Sequence, residues 1–177
     1  EQAWSRLVHT YTPRIFALCR SRLRRDDLAE EVTQSVFATI AAKLGSGRYN
    51  EQGRFESWLF RIAMNRVRDE ARRLKRHATP TDAQQFADHV ETRLTENRPA
   101  VEQLSALREA LATLKPADRE VVELRHHGGL SFAQIAEMLE QPMGTVLARH
   151  HRALAKLRSK LGEQQSDNEA GHGEGKG

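Results

Sequence analysis

Residues 130–161 read LSFAQIAEMLEQPMGTVLARHHRALAKLRSKL, and this stretch decides the fold. Ser131, followed three residues later by Gln134, forms the signature of a capping box, so a short helix starts there and turns Phe132, Ile135 and Leu139 inward. Glu140, Gln141 and Pro142 break that helix within a few residues. A second helix opens near Met143, because Val146, His150, Ala153, Leu157 and Leu161 recur at spacings of four, three, four and four on one inner side. At about 100° per residue, Thr145, Arg149, Arg152 and Lys156 gather within about 60° of one another and make a basic outer stripe. A short capped helix, a tight turn and a longer basic helix make a helix-turn-helix, whose second helix enters the DNA major groove by its N-terminal end. There Arg can read guanine, while Thr and Lys can reach phosphates.

Helical spacing extends outward in both directions. Pro116 opens a helix to His127, with acids Asp118 and Glu120 early and Gly128 and Gly129 as stops. Before it, Val101 starts another, with Leu104, Leu107, Leu111 and Leu114 on one face. Residues 77–100 change character: Thr, Pro, Asp and Gln with scattered apolar residues read as a linker, with a helical turn around Gln85 to Leu94. Residues 1–76 form a first module of three helices. The first, Trp4 to Arg24, turns Leu7, Val8, Tyr11, Ile15 and Leu18 inward, and Pro13 is expected to kink or split it. The second starts at Asp26 and Asp27, acids suited to a helix N-terminus, and buries Val32, Val36, Phe37 and Ile40 before Gly45. After a loop from Gly45 to Gly53, the third runs from Glu56 to Lys75 with Trp58, Leu59, Ile62, Ala63 and Val67 inward. Residues 162–177 lack an apolar period and read as a disordered tail. The expected class is all-α: two small helical modules joined by a linker, the second a helix-turn-helix of winged-helix-like or four-helix form.

Composition narrows the function. The 177 residues hold 28 Lys and Arg against 24 Asp and Glu, a net charge of +4 that hides an uneven distribution. The basic residues concentrate in Arg61 to Arg76 and in Met143 to Leu161, and the second run contains no acid. Two basic helical surfaces are the footprint of nucleic-acid contact. No apolar run approaches the ~20 residues needed to span a bilayer, so membrane insertion is not expected, and a cytoplasmic location is. One cysteine, Cys19, excludes an internal disulfide and a Cys-based zinc site. His126, His127, His150 and His151 raise the possibility of a metal-dependent hydrolase. Adjacent histidines point about 100° apart on a helix, however, and no HExxH spacing accompanies them. Phosphate loops and nucleophile elbows are absent. The expectation is therefore no catalytic residue, no metal and no cofactor.

Leu114 to Leu161, and within it GLSFAQIAEML, PMGTV and Arg149 to Leu157, resembles the promoter-binding region four of bacterial extracytoplasmic-function sigma factors of the sigma-70 family. AEEVTQSVF, residues 29–37, is similar to the family's region-two helix. FESWLFRIAMNRVRD, residues 55–69, is similar to its promoter-melting helix. The resemblance implies residues 1–76 as region two, 77–100 as linker and 101–161 as region four. It implies a sigma factor that directs core RNA polymerase to promoters and initiates DNA-templated transcription, with an anti-sigma factor as a further partner.

Laid on residues, the resemblance places Glu30, Glu31 and Gln34 against the polymerase clamp, where acidic and amide groups suit a basic partner. Tyr49, Asn50, Phe55 and Trp58 would capture an extruded base of the minus-10 element, since such a base needs stacking partners. Trp58, in phase with Ile62, reads first as core. Arg61, Asn65, Arg66 and Arg68 would follow the DNA strand. Thr145, Leu147, Arg149, His150, Arg152 and Lys156 would meet the minus-35 element. Three positions depart from the family pattern: Leu147 and Ala148 stand where many relatives have Lys-Ser, Glu140 where a glycine is common, and Ser35 where an acid is common. The alternative reading is a helix-turn-helix regulator that acts as a dimer without polymerase; it leaves the docking and melting segments of the first module unexplained.

Overall fold

The computed structural model of this chain describes residues 2–47, 49–50, 53–77 and 98–171. The expected linker, with its helical turn at 85–94, lies almost wholly outside the described residues. Seven helices carry the described residues: α1 Gln2–Leu23, α2 Asp26–Gly45, α3 Phe55–His77, α4 Arg98–Ala112, α5 Pro116–His126, α6 Phe132–Leu139 and α7 Met143–Gly171. No strand occurs among them, so the second half takes the four-helix form, without a wing.

Pro13 does not split α1; the helix runs from Gln2 to Leu23 with the proline inside it. An interior proline costs about 3 kcal/mol through its missing N–H and ring clash. Burial outweighs that cost: Ile15, Leu18 and Cys19 are fully buried on one side of it, and Leu7, Val8 and Tyr11 pack against the same core before it. The corner into α2 turns on Arg24, which holds a left-handed φ of 57°. Asp26 and Asp27 then sit in the first turn of α2, with Arg20 paired to Asp26 at 2.8 Å. In α3 the buried stripe is Leu59, Phe60, Ala63, Met64 and Val67, whereas Trp58 and Ile62 are half-buried at its edge. The inward face is thus rotated by part of a turn from the expected one, because Phe60 and Met64 are buried in the core that α3 shares with α1 and α2.

The two halves pack on each other. Val121, Leu124, Leu130, Ile135, Ala136, Met138 and Val146 from the second half share one continuous core with α1, α2 and α3. A smaller core of Ala110, Leu111, Leu114, Val122, Ala153 and Leu157 ties α4 and α5 to α7. The last helix passes its expected end at Leu161 and continues to Gly171. Gly162 does not end it, and Glu163, Gln164 and Gln165 are ordinary helix formers.

Candidate nucleic-acid interface

The helix-turn-helix is built as its residues require. Ser131, in extended conformation, accepts from the Gln134 N–H at 3.2 Å, and the Gln134 side chain accepts from the Ser131 N–H at 2.8 Å, so both halves of the capping box close. The helix stops at Glu140, which adopts a left-handed φ of 54° that would suit glycine. Helix α7 restarts after Pro142, whose carbonyl accepts from the Thr145 N–H at 2.9 Å. Val146, Ala153 and Leu157 are buried, so the orientation of α7 is set. Gly144, Thr145, Leu147, Ala148, His151, Arg152 and Ala155 face solvent.

The residues expected to meet the minus-35 element do not all share this outward face. Arg149 is half-buried and donates to the Gln141 side chain in the turn. Arg152 donates to Asp118 at 3.2 Å, and Lys156 donates to the Thr113 carbonyl. His150 is half-buried: its ring lies beside His126, with Nε2 atoms 3.3 Å apart, and edge-on to Phe132 at 5.0 Å. Its ring therefore packs α7 against α5 and α6 rather than facing outward. Burial first, then the charges of His126, Arg125 and His151, hold its pKa below the usual 6.5.

On the first half, Tyr49, Phe55 and Trp58 converge. Tyr49 lies 4.4 Å from Trp58 and 5.6 Å from Phe55 between ring centroids, and Phe55 is 5.7 Å from Trp58. Asn50 is exposed beside them. Asn65, Arg66 and Arg68 line α3 further on; Arg66 donates to the Thr39 hydroxyl at 3.0 Å and Arg68 to Asn65 at 3.2 Å. Two of the arginines are engaged across the seam between the halves. Arg61 meets Glu140 at 3.0 Å and the Glu137 carbonyl at 3.2 Å, and Arg68 pairs with Glu120. A cleft of about 460 Å³ opens along this seam, lined in part by Arg22, Arg68, Arg72, Lys75 and Glu120.

The seam also holds polar groups that the sequence did not single out. Glu56 accepts from Arg14 at 2.7 Å, Gln134 at 2.7 Å and Tyr11 at 3.1 Å. Burial alone would push its carboxyl up, but these three donors together hold it below the usual 4.5. Glu123 is fully buried and accepts from Ser21 at 2.9 Å and Arg119 at 2.7 Å, with Arg22 completing the cluster. Arg14 also donates to the Gly128 carbonyl at 2.8 Å. A side chain at Gly128 would put its Cβ 2.5 Å from the Leu124 carbonyl oxygen, so only glycine fits the stop of α5. The clue available beforehand was Glu123 itself, a carboxylate set between the apolar Val122 and Leu124.

Glu30, Glu31 and Gln34 are exposed together on α2. Cys19 is buried, and burial pushes its thiol up to about 11. Among the described residues, no group of three or more His, Cys, Asp or Glu is placed to hold a metal ion, and no helix is long and apolar enough to cross a membrane.

A family model for Sigma-70 region 2 matches residues 7–77, and one for Sigma-70, region 4 matches residues 104–157. The chain is 31% identical over 167 residues to the RNA polymerase sigma factor CarQ of Myxococcus xanthus, covering 92% of this chain and 91% of that protein. It is 32% identical to the ECF RNA polymerase sigma factor ShbA of Streptomyces griseus, covering 89% of this chain and 86% of ShbA. It is 30% identical to the ECF RNA polymerase sigma factor SigW of Bacillus subtilis, covering 91% and 90%. In fold it is similar to CnrH in complex with the cytosolic domain of CnrY, with a TM-score of 0.68 at 24% identity over 92% of this chain and 89% of CnrH. It is similar to the sigma factor RpoE in complex with the anti-sigma factor NepR from Bartonella quintana, with a TM-score of 0.68 at 22% identity over 91% and 98%. The chain belongs to the extracytoplasmic-function sigma factors of the sigma-70 family, the subunits that direct core RNA polymerase to promoters for transcription initiation.

Proposed function

We propose that this sigma factor divides its work as follows: residues 1–76 dock on polymerase and open the minus-10 element, 77–100 link, 101–161 read the minus-35 element, and 162–177 stand outside the promoter-reading body. Glu30, Glu31 and Gln34 meet a basic surface of core polymerase. Tyr49, Phe55 and Trp58 receive an unstacked base, and Arg61, Asn65, Arg66 and Arg68 track its strand. Sigma factors are regulatory subunits, and no catalytic residue, metal or cofactor is assigned to this chain. It works in the cytoplasm, with its polymerase. An anti-sigma factor is a further proposed partner, on the precedent of the Bartonella complex.

The observation that carries the reading is the outward face of α7, set by the burial of Val146, Ala153 and Leu157 and drawn from a run between Met143 and Leu161 that has five Lys and Arg and no acid. Such a surface fits a polyanion. Arg61 and Arg68 are now ion-paired to Glu140 and Glu120. An exposed pair such as Arg61 with Glu140 contributes only about 0.2–1 kcal/mol, so exchanging that carboxylate for a DNA phosphate is energetically open. The larger barrier to separating the halves is their shared apolar core.

Purified chain added to core polymerase and a matched promoter is expected to yield promoter-dependent transcripts. Arg149→Ala should weaken promoter binding by about 1–3 kcal/mol if Arg149 leaves Gln141 to read a base; unchanged affinity across promoters would remove it from the readout. Glu30→Lys combined with Glu31→Lys should lower polymerase affinity about tenfold or more while the fold and its melting temperature stay unchanged. Retained affinity would move the docking surface elsewhere. Dimeric operator binding without polymerase-dependent transcripts would contradict the whole assignment.

A further inference from the structure

We propose that Leu147 and Ala148 read the 5-methyl groups of thymines in the minus-35 element. This rests on the assignment of residues 101–161 to minus-35 recognition and names the chemistry that the recognition helix selects. Among the described residues the exposed large hydrophobics are Trp4, Leu107, Met143 and Leu147, and two of these four lie one turn apart at the start of α7. Leu147 is 44% exposed and Met143 51% exposed. Val146 is fully buried, so its neighbours 147 and 148 are carried to the opposite side of the helix, beside Gly144, His151 and Arg152. The centre of the face that can enter a groove is therefore apolar.

What covers such a face follows from its surroundings. Five Lys and Arg, two His and no acid accompany Leu147 between Met143 and Leu161, which suits a phosphate-rich partner and not an apolar protein surface. Leucine and alanine side chains carry no donor or acceptor, so they can serve neither phosphates nor the polar edges of guanine, cytosine or adenine. In the major groove the apolar group on a base edge is the thymine methyl, and alanine and other small apolar groups are known to fit it. Basic residues would set the register on the phosphates while Leu147 and Ala148 discriminate thymine. Met143, one turn before Leu147, extends the same apolar strip toward the adjoining base pair.

The test uses holoenzyme reconstituted from the full chain and core polymerase, and a minus-35 duplex selected by that holoenzyme from a random library. Each thymine of the element is then replaced by deoxyuridine, which deletes the methyl and keeps every hydrogen-bonding group. The wild-type holoenzyme should bind about fourfold more weakly for each contacted methyl removed. Leu147→Ala, whose shorter side chain withdraws from the groove, should lose the discrimination at the thymine that Leu147 contacts and keep that of Ala148, while its melting temperature holds, since the residue is exposed. Equal binding of thymine and uracil duplexes by the wild type would overturn the proposal, as would a selected element without thymine or discrimination unchanged at every thymine in Leu147→Ala. Weakened core-polymerase binding by Leu147→Ala with an unchanged thymine-to-uracil ratio would assign the strip to a protein partner and overturn it as well. In each of these cases promoter selection itself survives; a holoenzyme that selects no promoter sequence would instead defeat the underlying assignment.

Discussion

Glu56 shows how much one side chain can tie together. It lies in the first turn of α3, faces Tyr11 and Arg14 on α1, and accepts from Gln134 on α6, so three helices meet at one carboxylate. Its pKa is held below the usual 4.5 in the folded chain. The unfolded chain therefore takes up the proton first on acidification: the stabilisation is present above about pH 4.5 and is lost as pH falls through the folded value. Glu56→Gln should lower stability at neutral pH and flatten the acid limb of a pH–stability profile, measured by urea melts between pH 3 and 7. An unchanged acid limb would show that the carboxylate is not what joins these helices. None of this was legible in the sequence, where Glu56 reads as an ordinary first-turn acid; its partners lie 42, 45 and 78 positions away. Gly128 was legible only in part: a helix stop could be read, but not the close approach to the Leu124 carbonyl that excludes a side chain.

Local signals govern the elements, and these were the most readable. The Ser131 to Gln134 capping box, the proline at the start of α5 and the acids opening α2 each satisfy or complement free backbone groups within one turn, so sequence spacing suffices to find them. Ser131→Ala should cost about 1 kcal/mol, within the 0.5–2 kcal/mol expected for a lost cap. A thermal melt checks this, and a loss of less than about 0.2 kcal/mol would mean that tertiary packing alone holds α6. Phase within a helix was harder to read. His150 sits where the inner spacing puts it, yet Arg149, Arg152 and Lys156, which spacing placed on an outward stripe, bend to Gln141, Asp118 and the Thr113 carbonyl. Long side chains follow available acceptors, which a helical wheel does not contain. Pro13 failed as a breaker for a related reason: the core on both sides of it outweighs a local cost.

At the scale of the molecule, the division into two helical halves was readable, and their packing was not. The seam depends on groups about a hundred residues apart, chief among them Glu123 with Ser21, Arg22 and Arg119. Removing one member of a buried charge cluster leaves the others uncompensated and typically costs about 3–5 kcal/mol. Glu123→Ala should reduce stability by about that amount, and calorimetry should then show the halves melting in two transitions instead of one. A single undiminished transition would contradict a seam held by this cluster. The net charge of +4 hides the basic face of the first half because acids of the second half neutralise its arginines, as in Arg61 with Glu140 and Arg68 with Glu120. Under the proposed function, these arginines exchange their carboxylates for DNA phosphates, and one chain holds a promoter at two places. The most direct measurement is a footprint of a promoter bound by the purified chain and core polymerase, with permanganate to detect unpaired thymines. Protection at both the minus-35 and minus-10 elements, with reactive thymines only in the second, is the predicted result. Protection of a single site by the chain alone, with no polymerase requirement and no opened thymines, would contradict it.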